Sequence, residues 1–163
     1  MAYSPLCREW TGTCTRSNLC ASILDGRGTT MTEDAGGLAR EWLEKIWNQR
    51  DENYMNAKLP ADGFYYSCGS KEKLVGDDFI AFRKQMLKAF PNVRIRVDQT
   101  MSQGDEAAVR WLVQCDPEVS TAPEFWGITW FRFKDGKLAG GWDAYDESAA
   151  AARLQAALAK SES

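Results

Sequence analysis

The sequence predicts an α+β domain in which helices pack against one face of a curved antiparallel sheet. Three observations carry that expectation. Apolar residues at helical spacing are confined to residues 38–90 and to the last stretch, 147–160. Between them, from Val93 to Tyr145, the pattern changes to strict alternation, the signature of half-buried strands. Two turn pairs, Gly104-Asp105 and Asp135-Gly136, divide that region into hairpins, since both residue types accept the positive φ that tight turns need.

Taken in order, residues 1–36 are rich in Ser, Thr and Gly, hold Cys7, Cys14 and Cys20, and lack apolar periodicity. They read as a disordered extension, with the folded domain at 37–160. Met31 is an alternative start. Arg8, Arg16 and Arg27 among hydroxyls leave an organelle transit segment in 1–30 as the alternative to a cytoplasmic protein. Leu38, Trp42, Leu43, Ile46 and Trp47 make the stripe of a first helix, and 52–58 a second, ended before Pro60. Phe64-Tyr65-Tyr66 reads as a short strand closed by Gly69. Gly76-Asp77-Asp78 opens a third helix with stripe Phe79, Phe82, Met86, Leu87 and Phe90, stopped by Pro91. Four strands follow as a meander, then an Ala-rich helix that Asp146 is placed to cap.

Composition excludes several chemistries. The 163 residues contain no histidine, so Ser-His-Asp and Cys-His nucleophiles and His-ligated metal sites are ruled out within one chain. A net charge of −3 without a basic cluster argues against nucleic acid, and no apolar run reaches the roughly 18 residues of a membrane span. Five scattered cysteines without C-x-x-C spacing suit reduced thiols. Neither a P-loop nor G-x-G-x-x-G occurs. No cofactor and no metal are expected.

Four patterns, FRKQMLKAFPNVRIRV, QGDEAAVRW, ITWFRFKDGKL and WDAYD, in this order and spacing, resemble the SnoaL-like polyketide cyclases of the nuclear transport factor 2-like superfamily. The resemblance covers about residues 38–158. It implies a cone-shaped fold, a curved sheet wrapped around a long helix and enclosing a pocket. It also implies an acid/base role for Asp143 and a pocket-facing polar group at Thr129, where ketosteroid isomerases carry an oxyanion-hole Asp. The isomerases' base has no counterpart, since that region reads Tyr65-Tyr66-Ser67-Cys68. The histidine common in the cyclases' pockets is also missing.

Which way Asp143 points depends on the register of the hairpin 125–146. A two-residue turn pairs Lys134 with Lys137 and sets Thr129 opposite Trp142. A three-residue loop bulged at Gly136 sets Thr129 opposite Gly141 and Gly127 opposite Asp143. The resemblance favours the second, which turns Thr129, Phe131, Asp143 and Tyr145 inward. Asp143 is then the candidate catalytic residue, and Thr129, Phe131, Tyr145, Tyr66 and Trp42 the candidate substrate contacts. The bland alternative for Asp143 is a strand-end ion pair with Arg110. Gly140-Gly141 reads as room for a large neighbour such as Trp130.

Trp126, Ile128 and Trp130 fall on the opposite, outer face, where a contiguous apolar surface marks an interface; a homodimer through the sheet is expected. The functional expectation is a pocket protein doing cofactor-free cyclisation or isomerisation of a small apolar ketone or polyketide-like substrate. The alternatives are a non-catalytic ligand binder and a dimeric interaction module.

Overall fold

In a computed structural model the chain is described over residues 34–67 and 73–161; the extension at 1–33 and Gly69 lie outside the described residues. Helix α1 (Ala35–Leu43) starts three residues before Leu38, where the helical spacing begins, and so takes in the end of the extension expected at 1–36. The reason is local: Asp34 accepts a hydrogen bond from the Gly37 backbone N–H at 2.6 Å and caps the helix there. The helix does not end at Leu43 but widens into a π-helical turn, Glu44–Asn48.

That turn is held from outside. The Asn48 side chain donates to the Ile95 carbonyl and accepts from the Ile95 N–H, both at 2.8 Å, so one amide docks the turn onto a strand edge. The guanidinium of Arg83, 1% exposed, donates from Nε to the Ile46 carbonyl at 2.8 Å, and its burial lowers its pKa. Helix α2 (Glu52–Lys58) is capped by Asp51, which accepts from the Tyr54 N–H at 2.9 Å. Helix α3 (Asp77–Ala89) follows Gly76, whose φ of 44° lets the chain enter the helix sharply.

Six strands form one sheet. They are β1 (Phe64–Tyr66), β2 (Lys73–Val75), β3 (Arg94–Gln103), β4 (Glu106–Gln114), β5 (Phe125–Lys134) and β6 (Lys137–Tyr145), in spatial order β2-β1-β6-β5-β4-β3. The short β2 was not anticipated. The sheet is mixed rather than antiparallel, because β1 runs parallel to β6 while every other pair is antiparallel. Helix α1 packs on the inner face of β3, β4 and β5. The final helix α4 (Glu147–Ser161) is capped by Asp146, which accepts from the Ala149 N–H at 3.0 Å; the side chain of Leu158 lies outside the described residues.

The β5–β6 register matches neither alternative drawn from the sequence. Asp135 and Gly136 form a two-residue turn, both with positive φ, and Lys134 pairs with Lys137. The register then shifts, because Phe133 pairs with Leu138 but Arg132 pairs with Gly140, leaving Ala139 as a bulge in β6. Beyond the bulge Thr129 stands opposite Asp143 and Gly127 opposite Tyr145. The partners are two residues away from those expected, an even number, so the side chains keep the expected faces.

Candidate active site

A cavity of about 370 Å³ opens between α3, α4 and the inner face of the sheet. Its wall is mainly apolar, with Phe79, Phe82 and Met86 from α3, Trp111 and Phe125 from the sheet, and Leu154 from α4. Helix α4 closes one side with small residues, Ala150 and Ala151. An ion pair fastens it there, with Arg153 Nε 2.6 Å from Glu124 Oε2, while Glu124 Oε1 accepts from the Cys115 N–H at 3.0 Å. The Cys115 thiol also lines the cavity; burial first, then the neighbouring Glu124, pushes it up to about 11, so it stays a thiol at neutral pH.

Among the described residues two carboxylates line the cavity: Glu147, exposed at the start of α4, and Asp143, set in the apolar wall of the sheet. Tyr65 OH donates to its Oδ1 at 3.1 Å, and the Thr129 hydroxyl donates to the same oxygen. Thr129 in turn accepts from the Trp111 indole N–H at 2.7 Å. Among the described residues no hydrogen bond reaches Asp143 Oδ2. Burial pushes the Asp143 carboxyl up to about 7, against the pull of the Thr129 and Tyr65 bonds in the other direction. Burial, then the charge of Asp143, holds the Tyr65 phenol well above its ordinary value, so Tyr65 is a donor throughout the neutral range. A second polar pair lies further along the wall, with Ser67 Oγ and Tyr145 OH 3.1 Å apart.

Of the residues singled out from the sequence, Asp143, Thr129 and Tyr145 line the cavity. Three do not. Tyr66 points to the outer face, where β1 aligns it with Trp142 and its ring meets Phe64 edge-on; its neighbour Tyr65 occupies the inner position. Trp42 is 1% exposed in the core between Tyr54 and Phe79, with ring centroids at 6.4 and 6.1 Å. Phe131 faces inward but is fully buried, stacked on Phe133 beneath the cavity floor. Trp47, grouped with Trp42 by spacing, packs half-buried against the core and also lines the cavity, beside Leu43 four residues before it. The proposed Asp143–Arg110 pair does not form, since Arg110 pairs with Asp98.

Tyr65, Ser67 and Trp111 were not recognised as site residues. One signal for Tyr65 was present: Gly141 stands directly beside it, and a Cβ there would lie 2.5 Å from the Tyr65 ring. The glycine pair therefore makes room for Tyr65 and Phe64, not for Trp130.

This arrangement is a bent mixed sheet over helices with the part-buried Asp143 carboxylate at the wall of an apolar cavity, the frame of a nuclear transport factor 2-like cone. The chain belongs to the SnoaL-like polyketide cyclase family, whose model matches residues 37–154. Solved structures with the same fold include wild-type IdmH from Streptomyces antibioticus, at 15% identity and TM-score 0.63, covering 74% of this chain and 98% of that one. A candidate SnoaL-like polyketide cyclase from Jannaschia sp. CCS1 aligns at 16% identity and TM-score 0.61, over 74% and 90% of the two chains. A candidate ketosteroid isomerase from Kribbella flavida aligns at 21% and 0.56, over 72% and 82%. No curated protein matches the chain. Family membership supports a role of the cyclase or isomerase type. Among the described residues no helix is long and apolar enough to cross a membrane.

Proposed function

We propose that the cavity takes a small, apolar, uncharged ketone and that Asp143 moves a proton at the carbon next to its carbonyl, the first step of a cyclisation or isomerisation. The observation that carries this reading is the asymmetry of the carboxylate: two donors hold Oδ1, and Oδ2 is left to the cavity. A carboxyl pushed up to about 7 can both take and return a proton near neutral pH. The Ser67–Tyr145 pair, whose mutual bond uses one of two hydroxyl protons, supplies the donor that an enolate oxygen would need. The volume of about 370 Å³ lies within the range of small-molecule sites, and among the described residues its lining contains no cation to hold an anionic ligand.

The test is deuterium exchange at the α-carbon of an apolar aryl ketone, β-tetralone, followed by NMR in D₂O. Exchange accelerated by the protein and lost in Asp143→Asn supports the reading. Saturable binding of β-tetralone without Asp143-dependent exchange overturns it in favour of a ligand-binding protein.

We also propose that two copies pair through the outer face of the sheet. Trp126, Ile128 and Trp130 are 50%, 41% and 53% exposed, and the strand pairing extends them into a transverse row, Tyr66–Trp142–Trp130–Ala108–Met101. Near the middle of the row the charges are paired, Arg132 with Glu106 and Arg110 with Asp98, and at its end Lys73, opposite Tyr66, lies over the Phe64 ring, so apposing the face with itself brings little like-charge repulsion at the centre.

A further inference from the structure

Proton accounting around Asp143 extends the reading above and rests on it. An indole N–H can only donate, and a threonine hydroxyl has one proton and two lone pairs. With Trp111 Nε1 at 2.7 Å, one Thr129 lone pair is occupied, and the proton of Thr129 goes to Asp143 Oδ1. Tyr65 OH lies 3.1 Å from the same carboxylate oxygen and 3.4 Å from Thr129 Oγ1, and its one proton goes to the nearer acceptor, Oδ1. Oδ1 is thus committed whichever protonation state Asp143 is in, because a carboxylic acid protonated on Oδ2 still offers Oδ1 as acceptor. The network need not rearrange when the proton arrives, which is what a preorganised site requires.

The indole reaches Thr129 only because of its cross-strand partner. Trp111 pairs with Gly127, and a Cβ at 127 would lie 2.3 Å from Trp111 Cζ2 and 2.4 Å from Cη2. Any side chain there must displace the ring. On its other side the ring is bounded by Phe125 and Tyr145, at centroid distances of 6.4 Å each. We infer that Trp111, seated on Gly127, is a positioning residue: its indole N–H fixes the Thr129 proton on Asp143 Oδ1 and so selects Oδ2 as the oxygen that exchanges a proton with the ligand. Neither Trp111 nor Gly127 touches the carboxylate.

The experiment reads the Asp143 carboxyl directly, by ¹³C NMR titration of the ligand-free protein labelled at Asp, assigned with Asp143→Asn. Trp111→Phe keeps an aromatic ring and removes the N–H. Gly127→Ala keeps the N–H and moves it. Thr129→Val removes the hydroxyl itself. The expected result is that Trp111→Phe and Gly127→Ala each raise the Asp143 midpoint, by about one pH unit, because a carboxylate loses a firmly directed donor. Thr129→Val raises it at least as far, and adding Trp111→Phe to Thr129→Val changes it no further. An unchanged midpoint in Trp111→Phe overturns the inference. So does an equal rise from Trp111→Phe with or without Thr129, which would mean the tryptophan acts by general packing. Gly127→Ala decides the matter alone should Trp111→Phe fail to fold. None of these readouts needs turnover, so the inference can fail while exchange at the ketone persists, or survive when exchange is absent.

Discussion

The hydroxyls of Ser67 and Tyr145 lie 3.1 Å apart on the cavity wall, one at the end of β1 and one at the end of β6. Two hydroxyls carry two protons, and their mutual bond uses one; the other remains available to a ligand. Tyr145 is two residues beyond Asp143 on the same face, about 7 Å along the strand. In the proposed reaction, an oxygen held here would orient a ketone with its α-carbon toward Asp143. Tyr145→Phe should therefore weaken β-tetralone binding by about 2- to 10-fold, the worth of one neutral hydrogen bond, and Ser67→Ala less. Titration calorimetry on the three proteins checks this.

Asp143→Asn should lower the rate of α-proton exchange by at least about 100-fold, the usual contribution of a general base. In the wild-type protein the rate should rise with pH and level off above about 7, as the carboxyl loses its proton. A profile with no inflection between pH 5 and 9 would count against Asp143 as the base.

The same burial has a cost in stability, with a definite sign. The folded-state value of about 7 exceeds the ordinary 3.8, so folding favours the protonated form. The stability that Asp143 retains when neutral is complete below about pH 4 and is lost as pH rises through about 7. Asn at this position is never charged. The stability of Asp143→Asn should gain on wild type as pH rises from 4 to 8, by on the order of 2–4 kcal/mol at the upper end, and its melting temperature should gain in step. Thermal melts of both proteins across that range test it.

Gly141→Ala should displace the Tyr65 ring, since the added Cβ would sit 2.5 Å from Cε2. Overpacking of this kind costs about 1–3 kcal/mol, and here it should also loosen the Tyr65 bond to Asp143. Denaturant titration together with the carboxyl midpoint measures both effects.

Trp130→Glu places a charge at the centre of the outer row. If two copies meet there, sedimentation should show a dimer in wild type and a monomer in the variant, with exchange at the ketone preserved. A wild-type monomer at micromolar concentration would remove the pairing proposal.

The elements of this fold were legible because each announces itself locally. Alternation marked β3 to β6, Pro60 and Pro91 marked two helix ends, and Asp135-Gly136 marked the turn. The inward direction of Asp143 and Thr129 came from the family resemblance, because the two-residue turn that forms would, without a bulge, set Thr129 opposite Trp142 and turn Asp143 outward. What stayed hidden was non-local. The bulge at Ala139 leaves no trace in composition, and the two sequence registers both missed it. The choice of Tyr65 over Tyr66 depends on β1 lying parallel beside β6, a contact between segments far apart in the chain. The π turn was hidden for a different reason: it is held from outside, by the Ile95 backbone that Asn48 meets and by Arg83, so helical spacing alone could not reveal it.

The parallel pairing of β1 with β6 also decides when the site comes into being. Tyr65 and Asp143 are 78 residues apart in sequence, whereas the hairpins β3–β4 and β5–β6 close over a few residues each. Loop-closure entropy makes the short-range pairs early and the long-range one late. Asp143 therefore meets Thr129 as soon as the β5–β6 hairpin closes, but should gain Tyr65 only when β1 docks beside β6. In a refolding experiment, the Tyr65–Asp143 contact should appear after most of the sheet signal has already formed, making the site a clock for the completion of the fold.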